Sequence, residues 1–157
     1  MTDQDLRALG PALADYLDRY LFCCAYTQTL AHLGTYVRGL LSDLERKTCE
    51  PIALQAGTPV RSLQEFLRDH VWDFARVRRL HQEHSAELLR QPDEPGGLGT
   101  IGLIDETSAA KKGDKTPGVQ RQRLGCLGKI DNGIVTVHLG VCRGRYKSLI
   151  DADLFLP

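Results

Sequence analysis

Seven consecutive residues, Gln91-Pro92-Asp93-Glu94-Pro95-Gly96-Gly97, hold two prolines, two acids and two glycines, and the hydrophobic periodicity differs on their two sides. Proline fixes φ and has no amide to donate, so neither a helix nor a central strand runs through such a stretch. We therefore place a linker at residues 91–97, with one domain at 1–90 and a second at 98–157. Upstream, Leu6, Leu9, Leu13, Leu17 and Tyr20 recur in three- and four-residue steps, as do Leu30, Leu33, Val37, Leu40 and Leu41. That spacing predicts two amphipathic helices, the second weakened by Gly34 and Gly39. Val71, Phe74, Val77, Leu80 and Leu88 predict a third helix over 71–89, with Arg76, Arg78 and Arg79 outward. Downstream, the period shortens. Ile101, Leu103 and Ile104 precede Asp105, a β-branched run occupies Ile134–Val141, and Leu149–Leu156 is again apolar, all of which read as strands. Asn132-Gly133 predicts a tight hairpin between a strand ending near Lys129 and the run from Ile134. The expected class is α+β.

A chain of 157 residues holds one domain, or a small helical domain and part of a second. No apolar run approaches the ~18 residues that would span a bilayer. The first twenty residues carry Asp3, Asp5, Asp15 and Asp18, where a signal peptide would be basic and then apolar. A cytoplasmic protein with no membrane partner is expected. The five cysteines are scattered without CxxC spacing, which supports neither a disulfide framework nor a zinc site. Zero net charge conceals a segregation: residues 105–147 hold nine basic and four acidic side chains, whereas the preceding two thirds are mildly acidic. That segment is basic enough to attract phosphate.

Two segments bear on chemistry. In residues 49–73, Ala53 is followed four residues on by Gly57 and ten on by Leu63. A helix-turn-helix unit needs a small residue at the helix crossing, a glycine able to take positive φ in the turn, and an apolar anchor on the second helix. The second helix would run from about Val60 to His70, with Leu63, Phe66 and Leu67 inward and Arg61, Ser62, Gln64, Glu65 and Arg68 outward. Arg61, Gln64 and Arg68 suit base edges, and Ser62 suits phosphate. An ordinary helical hairpin, in which Gly57 and Pro59 merely end one helix and start the next, fits the same residues. Trp72, the only tryptophan, reads as core rather than a base-stacking platform.

In residues 99–141 an apolar strand runs into Asp105. A buried carboxylate at the end of such a strand costs several kcal/mol unless paired or holding a cation, and Mg²⁺ would compensate it. Lys111, Lys112 and Lys115 follow in a Gly- and Pro-punctuated loop, and Arg121 and Arg123 lie just beyond, all suited to a phosphate backbone. The plainer alternative is that Asp105 opens a polar turn after an edge strand and the lysines are a solvated face.

The ordered strings DETS, KKG, GVQRQ, LGK, DNGIVTV and SLIDADLFLP resemble the catalytic-core entry of insertion-sequence transposases of the DDE endonuclease superfamily. Gly39-Leu40-Leu41, Arg46-Lys47 and the Leu63-Gln64…Trp72-Asp73 pattern extend the resemblance to about residue 36. Ala109-Ala110 departs from it, standing where the family has a bulkier residue and often a proline. The resemblance implies a ribonuclease H-like fold, in which three acidic residues hold two divalent metals for cleavage and strand transfer at transposon ends. Asp105 matches the first acid, and hence is the expected catalytic residue and Mg²⁺ ligand. Glu106, on the opposite face of a strand, has no expected metal role, and Asp131, Asp151 and Asp153 match positions outside the catalytic set. The second Asp and the Glu fall beyond Pro157. The full expectation is therefore a helical N-terminal domain with a helix-turn-helix-like unit, followed by the first antiparallel strands of an incomplete ribonuclease H-like core. Such a chain would be an inactive transposase fragment with DNA, specifically transposon terminal repeats, as partner, and with homo-oligomerisation left open. The rival functions are a non-enzymatic helix-turn-helix protein that represses transposition and a helical interaction protein with no nucleic-acid role.

Overall fold

The computed structural model describes the backbone of residues 3–92 and 96–156 and the side chains of 9–92 and 96–156. Asp93, Glu94 and Pro95 of the expected linker lie outside the described residues. The chain divides into two compact units, Met1–Leu80 and His81–Pro157. Among the described residues there are five α-helices and one antiparallel sheet, an α+β composition.

The first unit contains α1 (Asp3–Asp18), a single 3-10 turn at Leu21–Cys23, α2 (Thr27–Leu41), α3 (Cys49–Gln55), α4 (Val60–Arg68) and the start of α5 (Phe74–Leu89). Its core is Ile52 and Ala53 from α3 with Leu63 and Phe66 from α4, surrounded by Leu33, Tyr36, Leu44, Cys49, Val60 and Trp72. The Phe66 and Trp72 rings lie 4.8 Å apart, tilted by 48°, so the half-buried tryptophan packs against the core as expected.

Gly39 does not break α2, because it is where α2 meets α3. A methyl there would collide with Cγ2 and Cγ1 of Ile52. Alanine would gain about 1 kcal/mol of helix propensity, but overpacking a closed core costs about 1–3 kcal/mol. We expect Gly39→Ala to lower the melting temperature. A rise, as propensity alone dictates, would contradict this close approach.

Two details of the helices differ from the sequence reading. Leu67 is 48% exposed, not inward: at 100° per residue it lies about 40° from Leu63 on the side away from Phe66, at the margin of the stripe those two residues bury. The third helix begins at Phe74 rather than Val71. Trp72 instead forms an extended bridge with Cys24, and Asp73 N donates to Cys23 O at 3.0 Å. The Asp73 carboxylate then accepts the Arg76 amide at 2.9 Å, an N-cap bond that fixes the helix start. Val71 and Phe74, assigned inward by periodicity, are 78% and 65% exposed.

The second unit is built around β3 (Lys129–Arg143). Strand β1 (Ile101–Ala110) pairs along one edge, from Ile101 opposite Cys142 to Ala110 opposite Gly133. The other edge is shared: β2 (Gln120–Leu124) takes Lys129 to Gly133, and β4 (Tyr146–Leu154) takes Thr136 to Arg143. The β-branched run at 134–141 suits this doubly paired position. Between Leu139 and Gly140 the β4 register shifts, leaving Ile150 as the extra residue of a bulge. The second half of α5 satisfies the carbonyls exposed there: His81 Nε2 lies 2.8 Å from Leu149 O, and Gln82 Nε2 donates to Ile150 O at 3.2 Å. Tyr146 OH donates to the buried Ser85 Oγ at 2.9 Å.

The expected hairpin at Asn132-Gly133 is not there. The turn between β2 and β3 is at residues 125–128, with Gly128 at φ 66°, and β3 runs straight through Asn132 and Gly133. Gly133 is small for a different reason. A Cβ at that position would lie 2.5 Å from Ala109 O and 2.6 Å from Leu124 Cδ1, so the glycine admits the neighbouring strands.

Candidate nucleic-acid interface

In the helical unit, the three marker positions fall where a turn between crossing helices requires them. Ala53 and Leu63 are fully buried, and Gly57 takes φ 64° between α3 and α4. Arg61, Gln64 and Arg68 are exposed on α4, and Ser62 is half-buried. Both arginines have acidic neighbours: Arg61 Nε donates to Glu65 Oε1 at 2.6 Å, and Arg68 donates to both oxygens of Asp69 at 2.7 Å. The hydrogen bond from Arg68 holds the Asp69 carboxyl below the usual carboxylate range. These pairs lie in water, where an ion pair contributes little, so a phosphate could replace the carboxylate at small cost.

In the sheet unit, Asp105 is not the buried strand-end carboxylate that the sequence predicts. β1 does not end at Asp105 but continues to Ala110, and the carboxylate is exposed. The polar run Glu106-Thr107-Ser108 is tolerated in the strand because β1, among the described residues, pairs only with β3 and leaves its side chains in water. Burial therefore places no demand for a compensating cation on it. What remains is an outward carboxylate whose Oδ1 accepts the Glu106 amide at 2.9 Å.

Strand alternation determines what shares its face. Asp105 is opposite His138, Arg121 opposite Asn132 and Arg123 opposite Ile130, all even positions of the continuous β3. Asp105, His138, Arg121 and Arg123 therefore lie on one face. Glu106, opposite Val137, and Asp131, opposite Gln122, lie on the other. From His138 to Asn132 is roughly 20 Å along the strand, or about six base-pair steps of a duplex at ~3.4 Å each. Asp105 and the arginines are therefore neighbours on a surface and not members of one contact cluster.

Lys111, Lys112 and Lys115 are exposed in the loop between β1 and β2, beyond the same end of β3 as Arg121 and Arg123. Lys115 lies 3.8 Å from Asp114, both fully solvated. Asp131 is engaged elsewhere: Lys129 Nζ bonds it at 2.8 Å and, together with the Asn132 amide, holds its carboxyl below the usual range.

Sequence reading missed two residues of this surface. His138, whose Nε2 lies 2.9 Å from Thr136 Oγ1, faces Asp105 only through strand register. Asn132 has the composition of a turn residue but lies within β3. Among the described residues, no three His, Cys, Asp or Glu side chains come together as a metal-binding group. No helix of the described residues is long and apolar enough to cross a membrane.

A family model described as DDE superfamily endonuclease matches residues 20–157. A probable transposase for insertion sequence element IS701 from Microchaete diplosiphon is 43% identical over 100 residues, which cover 63% of this chain and 25% of that protein. The match thus spans about a quarter of that relative's length. No solved structure matches.

Proposed function

We propose, for a chain that belongs to the DDE superfamily endonucleases, that it is part of an insertion-sequence transposase whose sheet lies against DNA and whose Asp105 is one of the carboxylates of the cleavage site. The observation that carries this reading is the shared face of Asp105, Arg121 and Arg123, with the lysine loop beyond it. Cations on that face neutralise backbone phosphates without reading sequence, and the carboxylate stands apart from them on the same surface. The sheet is read as the opening of a ribonuclease H-like core, and residues 91–97 as a linker after a helical DNA-binding domain.

The family's chemistry uses divalent metal, and we assign it to Mg²⁺, for which the outward Asp105 carboxylate is a suitable hard oxygen donor. When bound, such ions activate the attacking oxygen and stabilise the leaving one. One carboxylate is not a site, however. A hard cation held by Asp105 alone would keep most of its water and bind weakly, so these 157 residues by themselves should not cleave DNA.

The turn at Gly57, with Ala53 and Leu63 buried on either side, supports reading α3 and α4 as a helix-turn-helix whose second helix recognises transposon terminal repeats through Arg61, Gln64 and Arg68. It also favours the second reading, a protein that binds the ends without cutting and so represses transposition. Arg68→Ala in the 157-residue chain should weaken binding to a terminal-repeat duplex by about 1–3 kcal/mol, with a much smaller effect on a random duplex. A gel-shift titration in which the two duplexes bind alike would remove the recognition role of α4.

A further inference from the structure

Asn132 has the strand-turn dipeptide signature but sits inside β3, and its side chain turns back to the lysine loop. Its Nδ2 donates to Lys111 O at 2.8 Å and to Gly113 O at 3.0 Å. Two carbonyl acceptors at one end of the amide leave no ambiguity about which end is nitrogen. In the main chain the Lys111 amide donates to Asn132 O at 3.0 Å, which extends the β1 ladder one residue into the loop. One residue of β3 thus holds three consecutive residues, Lys111, Lys112 and Gly113, at both flanks. The far end of the same loop is also fixed: Val119 N donates to Thr116 O at 3.0 Å, and Gly118, at φ 73°, is pressed against Leu154, where a Cβ would come within 2.7 Å of Cδ2.

We propose that Asn132 is a positioning residue that clamps this loop so that Lys111 and Lys112 meet a DNA phosphate backbone as an ordered pair. The proposal rests on the DNA reading above and adds to it the residue that sets the shape of the loop. Its physical content is entropic. Long side chains on a mobile loop lose freedom when they bind, and a loop already fixed by two carbonyl bonds avoids much of that loss. Asn132 need not touch the nucleic acid.

The test uses the full 157-residue chain and two measurements. Asn132→Ala removes the amide, and Asn132→Val removes it while favouring the strand, so at least one variant should keep the sheet. Hydrogen exchange without DNA should be faster for the amides of residues 111–113 in both variants, with β3 protection unchanged. In fluorescence anisotropy with a labelled random duplex, Lys111→Ala/Lys112→Ala should reduce the slope of log affinity against log salt by about two. Asn132→Val should weaken binding several-fold in the native background and add almost nothing once both lysines are gone, since residues acting as one unit are not additive. Unchanged loop exchange would overturn the clamp. An equal loss with and without the lysines would also overturn it, because Asn132 would then act independently of them. If lysine replacement itself leaves binding unaltered, the DNA reading of the loop falls, and the functional part of this proposal with it, whatever the exchange shows.

Discussion

Phe66→Ala should destabilise the helical unit by about 3–5 kcal/mol, the range for emptying a buried aromatic site. Phe66 has no exposed surface, and its ring meets Trp72 at 4.8 Å, His70 at 5.7 Å, His32 at 5.9 Å and Tyr36 at 6.3 Å. The surrounding rings are held apart, His32 and Tyr36 on α2, Trp72 by its bridge to Cys24 and His70 by a 2.8 Å contact of its Nδ1 with Thr29 Oγ1, which limits collapse into the space. Since whole domains are stable by only about 5–15 kcal/mol, such a loss would remove a large share of the unit's stability. The adjacent Leu67→Ala supplies the control. As a half-exposed residue at the margin of the buried stripe it should cost only about 1 kcal/mol. Denaturant unfolding followed by helical circular dichroism measures both, and equal effects at the two positions would contradict the assignment of the core.

The contrast between Phe66 and Leu67 also shows what the sequence could convey. Periodicity located α1, α2 and the body of α5 because each has a recurring apolar stripe, and it located the strands because the β-branched run at 134–141 has no helical period. The Ala53, Gly57 and Leu63 spacing was legible because each marker answers a local requirement: smallness, positive φ and burial. What stayed hidden was non-local. Asn132-Gly133 has the composition of a hairpin turn, but what decides its conformation is contact with Leu124 and Ala109 and the loop carbonyls, residues far apart in the chain. The start of α5 depends on Trp72 bridging to Cys24, almost fifty residues earlier. Gly39 reads as a helix breaker until Ile52 is seen against it. For the candidate site, residue types identified the cations and Asp105, while strand register alone placed Asp105 with Arg121 and Arg123 on one face and brought His138 opposite it.

Asp105→Asn should produce the largest functional change. The amide is nearly isosteric with the carboxylate and should leave the exposed position on β1 folded, but it lacks the charge that balances a divalent cation. Cleavage needs a complete acidic set, so the substitution is best read in an extended protein, with these 157 residues joined in frame to the downstream portion of an IS701-type relative. Binding to the terminal-repeat duplex should survive in the variant, because the lysine loop, Arg121, Arg123 and α4 are untouched. The decisive measurement is Mg²⁺-dependent cleavage of a labelled terminal-repeat duplex by three proteins: the 157-residue chain, the extended chain, and the extended chain carrying Asp105→Asn. Cleavage is expected from the extended chain alone, with the variant still bound to the duplex. Retained cleavage in the Asp105→Asn protein, or cutting by the 157 residues unaided, would contradict this expectation.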